Sequence, residues 1–114
     1  ALISGGEMTV KSENSSGIGG PNQEFVLSFV EQIGITDKVC CASVDTDGTD
    51  GPTDIAGGIV DSSTIARAKG LNINIANSLK DHNSSEALTR LEDKIITGPT
   101  GTNIMDLRVI LIDR

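Results

Sequence analysis

The run Val39–Val44 passes without a break into DTDGTDGPTD at residues 45–54, and no other feature constrains the chain as tightly. The run carries no charge and is rich in valine and cysteine, which suits a strand buried on both faces. The ten residues after it are Asp, Gly, Thr and Pro only, and they cannot continue a strand. A buried strand must therefore end in an acidic loop at one edge of a sheet. Ligands of open α/β sheets bind in loops beyond the carboxyl ends of strands, so the same junction nominates a site.

The rest of the chain supplies partners for that strand. Leu2 and Ile3 lie in a short strand at Ala1–Ser4. Met8, Val10 and Ser12 alternate with Thr9 and Lys11, which predicts a half-buried strand. Phe25, Val26, Phe29, Val30 and Ile33 recur at helical spacing, with Pro21 and Asn22 in the first turn and Gly34 as the C-cap. A short strand follows at Ile55–Val60. A helix capped by Ser62 or Ser63 runs through Ala68 to Gly70. A further helix carries Ile75, Ala76 and Leu79, and another, capped by Ser84 or Ser85, carries Ala87, Leu88 and Leu91. Lys94–Thr97 and Leu107–Ile112 are strands. Strands interleaved with helices predict an α/β fold: a mixed β-sheet packed with helices, in a single small domain.

A chain of 114 residues has room for one modest core. Its 9 basic and 16 acidic residues give a net charge of −7, with the cations scattered, so nucleic acid is not an expected partner. An anionic membrane surface is disfavoured for the same reason, and no apolar run approaches the length of a membrane span. Cys40 and Cys41 are adjacent and would face opposite sides of a strand, so they read as small reduced core residues and the protein as cytoplasmic. The sequence opens on an apolar stretch with no methionine, as a domain cut from a longer chain would.

The 13 glycines, about 11% of the chain, exceed the usual ~7% and gather in loops after apolar strands. In residues 45–54, Asp45, Asp47, Asp50 and Asp54 would raise one another's pKa unless a cation neutralised them. Hard cations such as Mg²⁺ favour such oxygens, although the spacing fails the EF-hand pattern at Asp50 and Ala56. A solvated turn with Asp side chains capping amides is the competing reading. In TGPTGTN, residues 97–103, Gly98 and Gly101 allow close backbone approach to an anion. The Thr100 and Thr102 hydroxyls can donate to it, and a simple Gly/Pro turn is the alternative. The GIGGPN stretch fails the dinucleotide fingerprint and reads instead as a loop feeding a helix N-terminus, where Asn22 faces an anion or substrate. His82, the only histidine, has no metal-ligand spacing to any cysteine and reads as a loop residue.

Four segments in order, SGGE at 4–7, GGPNQE at 19–24, DTDGTDGPTDIAG at 45–57 and TGPTGTNIMDLRV at 97–109, together resemble the MOFRL domain, the C-terminal domain of the glycerate 2-kinase family. The resemblance covers nearly the whole chain. It implies a larger N-terminal α/β domain in cis, absent here, and an active-site cleft between the two domains. It also implies phosphorylation of D-glycerate to 2-phosphoglycerate with ATP and a divalent metal such as Mg²⁺. The family's GGRNQE falls on Gly19–Glu24 with Pro21 in place of arginine, and its Gly-Thr-Asp-Gly falls on Asp45–Gly48 with Asp45 in place of glycine. TGPTGTN matches in full at Thr97–Asn103, and Asp106 is kept while Met105 replaces an asparagine.

On this resemblance Asp47 and Asp50 bind the metal or orient the glycerate hydroxyls, one of them accepting the attacking hydroxyl's proton. Gly98, Thr100, Gly101, Thr102 and Asn103 hold a phosphate or the glycerate carboxylate. Asn22 and Glu24 add polar contacts, and Glu7, Asp54 and Asp106 support the cleft. The loops hold few cations, so the isolated chain is expected to be inactive. Two readings stand beside the kinase: a non-catalytic phosphate- or cation-binding module, and part of a hydroxypyruvate reductase-like protein. A homo-oligomer is compatible with all three.

Overall fold

The structure, a computed structural model, describes residues 1–7, 17–33 and 38–113. The predicted strand at Met8–Ser12 and the Gly34 C-cap lie outside the described residues. The chain runs β1 (Leu2–Gly6), α1 (Pro21–Gln32), β2 (Val39–Asp45), β3 (Gly57–Asp61), α2 (Thr64–Gly70), α3 (Ile75–Lys80), α4 (Ser84–Leu91), β4 (Lys94–Ile95) and β5 (Asp106–Ile112). No helix among the described residues is long and apolar enough to cross a membrane.

The strands form one sheet in the order β1-β5-β2-β3-β4, and helices pack on it as an α/β reading expects. Every pairing among the described strands is antiparallel, so the sheet is antiparallel where a mixed one was anticipated. The last strand, β5, inserts between β1 and β2. Its register sets Ile110 opposite Cys41 and Leu2, and Asp106 opposite Asp45 and Gly6.

The core gathers on one face of this sheet. Val26, Leu27 and Val30 of α1, Ala68 of α2, Ile75 of α3 and Leu88 of α4 pack with Cys41 and Val60, and Ile110 lies partly buried against them. Each large side chain so buried contributes roughly 1.5–3 kcal/mol. The inward residues of β2, Cys41 and Ser43, are buried, while its outward residues are only half-covered. The expectation of a strand buried on both faces is met on the helix side alone, because the core draws the helices to that side.

The apolar stripe of α1 turns polar at its start. Asn22 precedes Val26 and Val30 at intervals of four, and Gln23 precedes Leu27, so both amides enter the helix on its buried face. Helix α4 starts one residue earlier than a serine cap predicts: Asn83 is the capping residue and Ser84 is already helical and buried. Strand β4 is only two residues long, since the chain leaves the sheet after Ile95.

Cys40 and Cys41 are both free thiols. Burial, reinforced by the neighbouring Cys40, pushes Cys41 up to about 11, and burial with Asp61 and Asp93 nearby raises Cys40. The thiolate is the reactive form. At pH 8 a thiol reagent is therefore expected to modify Cys41 only on unfolding, read as a rise in reactive thiols on adding denaturant. Rapid modification of both thiols in the folded chain would refute the burial of Cys41.

Candidate functional site

Four glycine-rich stretches meet at one end of the sheet. There β1 ends at Gly5-Gly6-Glu7, β2 ends at Asp45, β5 begins at Asp106, and α1 begins at Pro21. The acidic loop and the Thr97–Met105 segment are bonded together side by side. The Thr46 N–H and hydroxyl donate to the Met105 carbonyl (3.0 and 2.7 Å). The Ile104 N–H donates to the Thr46 hydroxyl (2.8 Å), the Thr100 hydroxyl to the Thr46 carbonyl (2.5 Å), and the Thr100 N–H to the Asp47 carbonyl (3.4 Å).

Gly48 makes this approach feasible. Its φ is +95°, and a Cβ there would strike the carbonyl oxygen of Gly98. Gly48→Ala is expected to cost about 1–3 kcal/mol and part the two loops. Thermal unfolding would report the loss, and an unchanged midpoint would contradict the tight approach.

The predicted carboxylates separate into distinct environments. Asp50 is fully buried. Its Oδ1 accepts from the backbone N–H and side-chain amide of Asn22 (both 3.0 Å), and its Oδ2 from the backbone N–H of Gln23 (2.9 Å) and its amide (3.1 Å). These backbone groups are the second and third of α1, the orphan donors that an N-cap side chain satisfies. Gly20, the residue in the cap position, has no side chain to do so, and a Cβ there would strike Asp50 itself. The structure thus places Asp50, expected at the metal and in the chemistry, as a cap that the acidic loop lends to α1 from 28 residues away.

Asn22 sits behind this cap rather than facing solvent. Its amide also donates to Asp106 Oδ1 (2.8 Å) and its carbonyl accepts from the Ser43 hydroxyl (2.5 Å). Gln23 accepts from the Ser85 hydroxyl (2.6 Å) and donates to Thr53 (3.2 Å). Each buried amide is therefore satisfied on both sides, as a buried polar network requires. The sequence nominates none of Ser43, Thr53 and Gln23 for the site, and it offers Ser85 only as a helix cap. The signal was there for Gln23, one residue beyond Asn22 on the same inward turn.

Asp47 differs. It is only half-buried, and its Oδ1 accepts from the Thr49 N–H (2.8 Å) and hydroxyl (3.0 Å) in a local turn. Those two bonds hold its carboxyl below the usual range. Asp45, beside it at the end of β2, is raised, chiefly by burial and also by Asp47 and Asp106. Of the pair, Asp47 is the more firmly charged. Asp54 and Glu7 are exposed. The Glu24 carboxylate meets His82 Nδ1 at 2.5 Å, which ties α1 to the connection between α3 and α4 instead of leaving Glu24 in the loop cluster. His82 itself adopts φ +51°, uncommon outside glycine.

In the second loop, the Thr100 hydroxyl is spent on Thr46 and the Asn103 side chain accepts from the Met105 N–H (2.8 Å). The Gly101 N–H and the Thr102 hydroxyl make no hydrogen bond among the described residues and are exposed. Gly101 holds φ +75° with open space where a side chain would be. Such a loop can donate to an anion at close range.

Among the described residues, Arg108 is a cation that reaches this end of the sheet. Arg108 shares a face with Asp106, two residues before it, at 3.9 Å. It donates to Ser4 Oγ (3.3 Å) and the Gly5 carbonyl (2.6 Å) and lies over the Phe25 ring. It fastens the SGGE end of β1 to β5. No group of three or more His, Cys, Asp or Glu that could hold a metal ion occurs among the described residues.

Residues 1–106 match the MOFRL family. The chain belongs to that family. Among its relatives, the glycerate 2-kinase of Pyrococcus horikoshii is 46% identical over 111 residues, covering 97% of this MOFRL chain and 25% of that protein. The D-glycerate 2-kinase of Thermotoga maritima is 48% identical over 112 residues, 98% of this chain and 27% of that one. A crystal structure of a glycerate kinase from Thermotoga maritima superposes with a TM-score of 0.93 at 46% identity, over 98% of this chain and 27% of that chain. The MOFRL chain spans about a quarter of the length of these relatives.

Proposed function

We propose that this MOFRL chain is the C-terminal part of a glycerate 2-kinase and forms one wall of its active-site cleft. A larger α/β domain in cis would form the other. The reaction transfers the γ-phosphoryl group of ATP to the 2-hydroxyl of D-glycerate, giving 2-phosphoglycerate. The observation that carries this reading is the bonded loop pair, which sets the charged Asp47 beside the amide- and hydroxyl-bearing Gly98–Asn103 loop.

Phosphoryl transfer demands positioning and charge neutralisation more than covalent chemistry. Gly101 and Thr102 supply donors for a phosphate or the glycerate carboxylate, with Gly98, Thr100 and Asn103 shaping the loop that presents them. Asp47 keeps its charge and is a poor proton acceptor, which suits it to a cation or to a substrate hydroxyl. Asp45 holds a proton more readily and is the better candidate to exchange one.

Mg²⁺ is usually held by one or two carboxylates, with substrate phosphates and waters completing its shell. Asp47 fits that limited share; Asp50, with four donors on its carboxylate, does not. When bound, the ion would neutralise charge developing on the transferred phosphoryl oxygens. Asp50, Asn22 and Asp106 form the frame under the loops, and Glu24 acts through His82 to hold α1 in place.

The test is a glycerate-plus-ATP assay on the full-length polypeptide carrying this domain, with the product resolved by ³¹P NMR. Formation of 2-phosphoglycerate is expected. Absence of turnover, with phosphate ions still binding the loop pair, would favour the non-catalytic binding module.

A further inference from the structure

Antiparallel sheets covered on one face ordinarily turn a polar face to water. This one does not. Ile3, Val109, Ala42 and Ile59 stand opposite one another across β1, β5, β2 and β3, forming one apolar row on the side away from the core cluster. Leu111 and Leu107 flank the row on the same face of β5. Ile3 is 72% exposed, Leu111 53% and Ile59 44%. Among the described strand residues of this face the charged one is Asp61 at its border, already bonded to Ser63 and paired with Arg67. A contiguous exposed apolar patch of this kind marks an interaction surface.

We infer that this outward face is the docking surface for an apolar surface of the polypeptide that the longer relatives carry beyond the MOFRL domain. The inference rests on the two-domain reading above. Three observations select this occupant. The relatives hold about three quarters of their length outside the matched region. The face is almost free of charge on a chain of net charge −7, so an uncharged partner can cover it without desolvating ions, whereas a second copy would bring a second −7 alongside. The face also ends at Gly5–Glu7 and beside the Thr97–Met105 loop, so a body seated on it comes to lie against the bonded loop pair, where a cleft requires it.

The test takes the full-length polypeptide carrying this domain, cuts it after folding at a protease site introduced ahead of the MOFRL residues, and follows the two pieces by sedimentation velocity. A one-to-one complex is expected. Val109→Lys, in the middle of the row, should weaken it at least about tenfold. Ile3→Lys, at the exposed edge strand, should do the same and keeps the question answerable if the first variant fails to fold, as judged by circular dichroism. Ser28→Lys, on the solvent side of α1, should leave binding unchanged.

Three outcomes overturn the inference: no complex, a complex indifferent to both face variants, or a self-associated chain that the face variants dissociate. Turnover of glycerate and ATP is measured on the same mixture. A complex without turnover keeps the docking surface and removes the kinase reading, whereas turnover indifferent to the face variants does the reverse.

Discussion

An Asp50→Ala variant is expected to lose roughly 3–5 kcal/mol of stability, with a matching fall in its urea midpoint. The carboxylate accepts four hydrogen bonds in a fully buried site, and alanine would leave two backbone N–H groups without an acceptor and take one acceptor from each of the two side-chain amides. Each orphaned buried donor costs about 1 kcal/mol or more. Such a loss is a large part of the 5–15 kcal/mol that holds an ordinary domain together. The first turn of α1 would lose its cap, and with it Asn22 and its bridge to Ser43 and Asp106. Asp50→Asn should fall between the variant and the wild type, since it keeps the shape but turns one acceptor into a donor facing donors. A loss below about 1 kcal/mol for Asp50→Ala would deny the anchoring role and return Asp50 to the metal and catalytic assignments.

Asp47→Asn should show the opposite pattern. The asparagine oxygen can still accept from Thr49, so the local turn should be kept and the unfolding midpoint should fall only slightly. On the proposed function, turnover of the full-length polypeptide should fall at least about a hundredfold, because the charge at the loop pair is gone. The apparent requirement for Mg²⁺ should rise with it. An unchanged rate would remove Asp47 from the reaction. Its lowered pKa gives a further check. A depressed carboxyl contributes stability above its unfolded value, and that contribution is lost as pH falls through the lower folded value. Asp47→Asn should therefore lose this small contribution at neutral pH and converge with the wild type in acid, which flattens the acid side of the stability profile. Comparing the two variants separates frame from chemistry: one loses the fold, the other the rate.

Much of this architecture is legible in the residues. The period of Phe25–Ile33 gives α1, the uncharged run gives β2, and the Gly-rich segments at 5–7, 45–54 and 97–103 fall at one end of the sheet, as their place after apolar runs predicts. The ordered motifs point to the family that the whole-chain match bears out. These readings succeed because local propensity and hydrophobic period depend on neighbours along the chain.

The roles within the site do not. Asp47 and Asp50 stand three residues apart in one loop of repeating Thr, Asp and Gly, and nothing local distinguishes them. One becomes a buried cap because Gly20 leaves α1 without its own, and the other stays at the surface because Thr49 satisfies it in place. Glu24 and His82 meet across 58 residues, and Arg108 reaches Ser4 across 104. The antiparallel order, with β5 between β1 and β2, is likewise invisible to any short window. The sequence by itself determined most of the elements, the glycine-rich loops that gather at one end of the sheet, and the family. Only the tertiary structure decided which carboxylate is buried and which stays within reach of solvent, and that the far side of the sheet is left apolar. A polar group's burial and charge are set by the partners that satisfy it, and here those partners are brought in from distant parts of the chain.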